Sequence, residues 1–375
     1  ALVASDAQGV GVVSLSSFAH LGTYTSPDSP GFSSVACAQG GASAFLASSS
    51  GDGVHVVSLA IPAQPTLLSK ITPADGAFAS PAFLLADCDV LYMVQEDSPE
   101  VRAFDVADPA HPAFLRTITT PESRGIRSLS LSNSTLVVPG RDGDTLDDSV
   151  GAVYLYDVST IQVSMPTLIG AVTTPGETCS GAINAERTRL VVTQRALGGA
   201  TKLYDITNPQ NPSLLSTVSA ADYGINAYCP LHASIIRQIA FVAWTQSGLQ
   251  AMDLDQIDAQ GLVQPVGYYD TSMESPFNGF TGAVALRAAY NPDVILVADS
   301  RRGLFALDAS PVYPTPACLA DFDADHDVDV FDFAILATNF SACRVAPFTR
   351  GDVDGDTDVD VFDFAIFAAN FSCGP

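Results

Sequence analysis

Through its first 310 residues the chain alternates short apolar runs with small polar and proline-containing breaks. Seven runs share one form, an alternating apolar stretch closing on a short polar residue: GVGVVSL, GVHVVSL, VRAFDV, AVYLYDV, TKLYDI, LQAMDL and GLFALD. The closing residues are Ser14, Ser58, Asp105, Asp157, Asp205, Asp253 and Asp308, spaced 44, 47, 52, 48, 48 and 55 residues apart. Before each lies a second β-rich run (ALVAS, AFLAS, LYMVQ, TLVVP, RLVVT, AFVAW, VILVA), and after most comes a third, such as PTLLSKITP or PSLLSTVSA. Short runs with period-two alternation and β-branched or aromatic residues predict strands. Two of the breaks read DVADPAHP and DITNPQNP. Proline cannot donate to a central ladder, and Asp or Asn side chains bond nearby backbone amides, so these segments predict turns between strands.

Four strands per unit of roughly 40–50 residues is the arithmetic of a β-propeller. The expected fold is mainly β: a seven-bladed β-propeller over residues 1–308, against the alternative of a seven-unit solenoid. The repeats resemble the LVIVD-repeat propellers of bacterial surface and secreted proteins. Counting strands gives seven second and seven third strands, but only six first and six fourth. The first unit begins directly at ALVAS, and the last runs from LFALD into ASPVYPTPA. An uncovered strand edge is a template for another chain.

Past Asp308 the pattern changes. Residues 309–317 carry three prolines and are expected to be a short semi-rigid linker. Residues 318–375 then hold DFDADHDVDVFDF and DVDGDTDVDVFDF, twelve aspartates within 43 residues. Like charges this dense need a counter-charge. Counted from Asp321, carboxylates fall at positions 1, 3, 5 and 12 (Asp321, Asp323, Asp325, Asp332), with the backbone carbonyl of Asp327 at position 7. The second run places Asp352, Asp354, Asp356, Asp358 and Asp363 at the same offsets, and Asp329 and Asp360 fill position 9. This is the spacing of a 12-residue EF-hand-type loop, in which hard oxygen ligands wrap Ca2+ at about 2.3–2.6 Å. Two calcium ions are expected, since magnesium demands a stricter octahedron. FDFAILATNF and FDFAIFAANF follow the loops and predict helices, with Phe333, Leu336 and Phe340, and again Phe364, Phe367 and Phe371, along one face.

A loop and its exiting helix, twice, with a 31-residue period, resembles a dockerin module. The resemblance implies an α-helical calcium-binding module serving protein–protein association. Two positions depart from the pattern. The usual glycine at position 6 is His326 or Thr357. Positions 10 and 11, which carry partner recognition in cellulosomal dockerins, are Val330–Phe331 and Val361–Phe362. That apolar pair points to a contact inside the module or with a partner.

Composition narrows the function classes. The formal charge is −25, with Lys70 and Lys202 the only lysines. A nucleic-acid binder needs a basic footprint, and anionic membranes call for the same. No apolar run is long enough to span a bilayer. The start at Ala1 fits a mature chain after signal-peptide removal, which predicts an extracellular or cell-surface location. Seven cysteines without a CxxC pair read as disulfides of an oxidising compartment. Thr349 is the repeat equivalent of Cys318 and lies six residues after Cys343, so pseudo-two-fold symmetry favours Cys318–Cys373. Equivalent places on neighbouring units suggest Cys179–Cys229 and Cys37–Cys88, leaving Cys343 over. Glycan acceptor tripeptides occur at Asn133, Asn339 and Asn370.

No HExxH or GxSxG motif occurs, and His20, His55, His111 and His232 are scattered. His111 reads as a turn residue and Trp244 as core. Asp142, Asp144 and Asp148 can hold a cation or be a solvated hairpin tip. Arg301 and Arg302 offer a grip for an acidic partner. The reading is therefore a non-catalytic secreted or surface assembly protein, a possible filament subunit, that associates through the calcium module or open strand edges. The alternatives are a polysaccharide-acting propeller enzyme, whose carboxylates would converge in the central channel, and a carbohydrate- or protein-binding module.

Overall fold

The computed structural model describes residues 1–375 except 6–7, 38–40, 97, 122, 143–149, 196–197, 225–228, 272–280, 289–292, 314–317, 319, 324–326, 344, 346–348, 354, 356–357 and 375. Seven antiparallel sheets follow one another along the chain as the blades of a seven-bladed β-propeller. Blade two runs from Phe32–Cys37 to Thr66–Ile71, blade three from Phe83–Asp87 to Ala113–Thr119. Blade five spans Thr178–Ile183 to Ser213–Ser219, and blade six His232–Ile236 to Val263–Tyr269. Each of these is a four-stranded meander. In blade four the first strand is interrupted: Ser123–Ile126 and Ser130–Ser132 both pair with Thr135–Asp142.

The two ends of the array differ, as the strand count anticipates. Among the described residues blade one has three strands, Leu2–Ser5, Gly9–Val13 and His20–Tyr24, and no first strand. Blade seven has Ala283–Ala288, Val294–Asp299 and Gly303–Asp308, and no fourth. The consequence is visible in burial. Second strands such as Val90–Val94 are fully buried, yet Leu2–Ser5 is half-buried throughout. Third strands such as Val54–Ser58 are buried, yet Leu304 to Leu307 are half-exposed.

The repeat residues explain the turns. The Oδ1 atoms of Asp105, Asp205, Asp253 and Asp308 accept the N–H two residues on, at 2.8–3.0 Å. Such Asx turns reverse the chain toward the fourth strand. That strand then touches the turn of the following blade: the Ser69 hydroxyl donates to the Pro109 carbonyl at 2.8 Å. At the blade four–five seam the approach is closer, because a Cβ on Gly170 would collide with the Pro209 carbonyl.

Contact density divides the chain into two compact units. The first is Ala1–Leu129, Gly140–Thr145 and Val158–Thr167; the second is Ser130–Pro139, Leu146–Asp157 and Leu168–Pro375. In the first, Phe45, Val56, Met93 and Phe104 form a dry seam between blades two and three. In the second, Val191, Val242, Trp244 and Met252 do the same between blades five and six, so Trp244 is core as read. Each such large side chain contributes about 1.5–3 kcal/mol on burial.

The segment after Asp308 is not a free spacer at its start. Ala309 and Tyr313 are buried with blades six and seven, Tyr313 edge-on to Phe241 and beneath the Arg237 guanidinium. Asp308–Tyr313 thus begins as the turn repeat does, with the Asp308 carboxylate accepting the Ser310 N–H at 3.0 Å.

Cys318–Cys373 forms with Cα atoms 5.8 Å apart. The other expected pairings do not. Cys37, Cys179 and Cys229 form no disulfide, whereas Cys88 and Cys343 are both disulfide-bonded. Equivalent position on adjacent blades places two cysteines on the same relative site. It does not bring their Cβ atoms within the ~4 Å that a disulfide needs.

Candidate metal centres

The C-terminal segment holds two helices, α1 (Val330–Asn339) and α2 (Val361–Asn370). Each begins with an aspartate N-cap, Asp329 or Asp360, whose Oδ1 accepts the N–H of Phe331 or Phe362 at 2.6 and 2.7 Å. Three residues on, Asp332 and Asp363 reach back and accept the N–H of Asp329 and Asp360 at 2.9 and 2.8 Å. This reciprocal box satisfies orphan donors of the first turn. Aspartates here also complement the helix dipole.

Asp332 and Asp363 do more than cap. Their second oxygens accept from the start of each loop, Phe322 N–H to Asp332 and Val353 N–H to Asp363, both at 2.6 Å. Each carboxylate therefore ties the two ends of its loop together, and each is fully buried. Oxygens of Asp321, Asp323 and Asp332 lie within 4.8 Å of one another, as do those of Asp327, Asp329 and Asp332, and of Asp358, Asp360 and Asp363. Asp352 and Asp358 are buried as well. Asp325, Asp354 and Asp356 lie outside the described residues. Buried carboxylates are costly unless paired with positive charge, and residues 318–375 contain twelve aspartates against two arginines. The donor set, hard carboxylate oxygens converging on one point, fits a hard divalent cation.

The two halves are related by an exchange. Val328 bonds to the end of α2 through Cys373 O and Ser372 N, each at 2.8 Å. Its equivalent Val359 bonds to the end of α1 through Ala342 O and Ser341 N, at 3.0 and 2.7 Å. Each loop is thus braced by the other half's helix. The expected aromatic stripes resolve differently: Leu336 and Phe367 enter the small core, while Phe333, Phe340, Phe364 and Phe371 remain 41–51% exposed. Val330, Phe331, Val361 and Phe362 are 57–65% exposed. They make no core of their own segment, which removes the first of the two contacts considered for them. The capping role of Asp329 and Asp360 was readable from the repeated D-V-F-D.

Among the described residues the propeller holds no comparable cluster of metal-ligating side chains. Asp142 ends a strand, and Asp144 and Asp148 lie outside the described residues. The Asp299 Oδ1 accepts the backbone N–H groups of Arg301 and Arg302 at 2.9 and 3.0 Å, so that carboxylate serves a turn. His111 is exposed and bonds Asp108 within the turn motif. His55 is fully buried between the Tyr24 hydroxyl (2.9 Å) and Asp52 (2.7 Å), and Asp52 also pairs with Lys70 at 2.9 Å. Burial opposes the charge on Asp52, but hydrogen bonds with Ser48, Lys70 and His55 outweigh it and hold the carboxyl well below the usual range. No spacing in the sequence announces this chain of four, because its members come from three strands and a hairpin. His232 is half-buried, with Nδ1 inaccessible to solvent. Burial, with the Arg287 charge adding to it, lowers its imidazole to about 4. Asn133 Nδ2 donates to the Ala185 carbonyl, and Asn339 and Asn370 donate to Ile335 and Ile366, each at 2.8 Å for the last two.

No protein-family profile matches the chain. A search of curated proteins finds no relative. Among solved structures the fold is shared widely. Kuenenia stuttgartiensis hydrazine synthase superposes with a TM-score of 0.60 at 12% identity, covering 80% of this chain and 89% of that one. A protein from Lactobacillus plantarum gives 0.60 at 13%, covering 82% and 91%. The WD40 repeats of RRP9 give 0.57 at 14%, covering 80% and 83%. At such identities the likeness is one of fold, and it defines the first 310 residues as a β-propeller without assigning chemistry. Among the described residues no helix is long and apolar enough to cross a membrane.

Proposed function

We propose that this is a non-catalytic extracellular association protein: a propeller carrying a dockerin-like module that binds two Ca2+ ions and presents a protein-binding surface. The observation that carries the reading is the pair of buried carboxylates Asp332 and Asp363, each clamping both ends of a loop around converging oxygens. Asp321, Asp323, Asp325, Asp327 and Asp332 would hold one ion; Asp352, Asp354, Asp356, Asp358 and Asp363 the other. The ions would supply the counter-charge that the segment's own side chains lack, so metal binding and folding are coupled. The exposed pairs Val330–Phe331 and Val361–Phe362, related by the internal repeat, support an apolar contact with a partner. Two disulfides are compatible with an oxidising compartment.

The test is calcium titration of the metal-stripped chain by isothermal calorimetry. Two sites per chain, and a low-temperature unfolding transition that appears only with calcium, are expected. A chain whose unfolding is unchanged by chelator, and which takes up no calcium, refutes the reading.

A further inference from the structure

Among the described residues, blade seven ends in a prepared but unfilled place. Its third strand, Gly303–Asp308, pairs with Val294–Asp299 on one side, and no described strand pairs with it on the other. The turn that leads into the fourth strand elsewhere is present: Asp308 forms the same Asx bond as Asp105, Asp205 and Asp253, and Ala309 N–H bonds to the Asp293 carbonyl at 2.6 Å. Val106 and Ile206 make the equivalent bonds at 2.7 and 2.9 Å. In blades three and five the fourth strand starts directly after Pro112 or Pro212. Here the equivalent position in the sequence is Thr315, only three residues before Cys318, which is held by Cys373. From Cys318 on, the described residues belong to the C-terminal segment, and the described strands upstream are each paired within their own blades.

The other blades define what fits. Their fourth strands read TLLSKI, AFLRTI and SLLSTV in blades two, three and five. Position 2 is exposed (Leu67, Phe114, Leu214) and position 6 is buried (Ile71, Ile118, Val218). The pairing slips by one residue at the same point each time, between Val56 and Val57, Ala103 and Phe104, Leu203 and Tyr204. A bulge of this kind fixes register. The equivalent point in blade seven, counted back from Asp308, is between Ala306 and Leu307.

We propose that the outer edge of blade seven binds, by β-strand addition, an extended segment of a second protein chain with the pattern small-Leu-Leu-x-x-Val/Ile. Position 1 lies opposite Asp308, position 2 opposite Leu307, position 4 opposite Ala306 and position 6 opposite Leu304. Backbone bonds to the open edge provide affinity, and the half-exposed Leu304, Phe305 and Leu307 select apolar side chains. This deepens the association reading and rests on it only in taking the partner to be a protein.

Hydrogen exchange on the full chain, with and without the peptide PSLLSTVSA (the chain's own 212–220), tests the proposal. Alone, Gly303–Asp308 should exchange faster than Ala200–Asp205. Saturating peptide should slow it roughly tenfold, while a peptide with proline at its fifth residue, which lacks the N–H opposite Ala306, should not. Edge amides already protected in the chain alone would mean the place is filled in cis, and the proposal fails. It fails equally if the peptide slows nothing, or if the proline peptide acts as well. Running the series in calcium and in chelator separates it from the metal reading, because the edge requires no ion.

Discussion

Cys318 is bonded to Cys373 across 55 residues of sequence, and the backbone repeats that closure where Val328 donates to the carbonyl of Cys373 at 2.8 Å. Covalent and hydrogen-bonded clasps therefore lie at the same end of the segment. Replacing both cysteines by serine should cost this segment about 4 kcal/mol, the chain-entropy value for a loop of that length. Scanning calorimetry of the full chain in calcium reads it: the transition of the segment should drop by many degrees while that of the propeller stays in place.

Asp363→Asn should halve the calcium stoichiometry from two to one, as should Asp332→Asn. Each carboxylate clamps its own loop, so neither substitution removes the other loop's ligands. Because each loop is braced by the other half through Val328 and Val359, the remaining site should also weaken, by roughly tenfold or less. Isothermal calorimetry on both variants checks count and affinity together; two unaltered sites in either would count against the assignment.

His232 predicts an acid-side loss of stability. Its folded value, about 4, lies below the ordinary value near 6.5. The unfolded chain therefore binds a proton between those limits while the folded chain does not. Stability is unaffected above that window, falls as pH drops through it, and levels off below it. By pH 4.5 the loss attributable to this group should be about 2 kcal/mol. His232→Gln should remove that part of the slope, measured as the difference in urea unfolding between pH 7.5 and 4.5 for the two proteins.

Tyr24→Phe removes the hydroxyl bonded to His55 Nδ1 and leaves a buried ring nitrogen without it. The expected cost is about 1–3 kcal/mol. Gly170→Ala, a change that in an open strand stabilises by about 0.5–1 kcal/mol, should here destabilise by about 1–3 kcal/mol, because the added methyl meets the Pro209 carbonyl and the seam must open. Urea midpoints at constant slope compare the two.

The propeller was legible because its signal is repeated and local. Asp105 and Asp205 close matching turns, Asp253 and Asp308 make the same Asx bond, and alternation in Thr167–Pro175 reports one buried and one solvated face. The two loop–helix repeats of the C-terminal segment were legible for the same reason, down to Cys318–Cys373, where the internal period fixes which helix ends are neighbours. What escaped was long-range and unrepeated. Tyr24, Asp52, His55 and Lys70 meet across blades one and two with no shared spacing. The partners of Cys88 and Cys343 follow no repeat rule. The start of the expected linker escaped because ASPVYP looks like a proline-rich spacer, while Tyr313 reveals its packing only against Phe241 and Arg237.

That packing bears on how the molecule carries load. Load arriving along the backbone at Tyr313 meets that packing before it reaches the ladder of blade seven. The ring and the bond from Ala309 to Asp293 must give way first, after which Gly303–Asp308 would be peeled bond by bond from its single neighbour. Elsewhere in the propeller a third strand is held on both sides and would have to slide rather than unzip. Along that backbone path the weak point is the outer edge of blade seven, and a strand added there would strengthen it under tension.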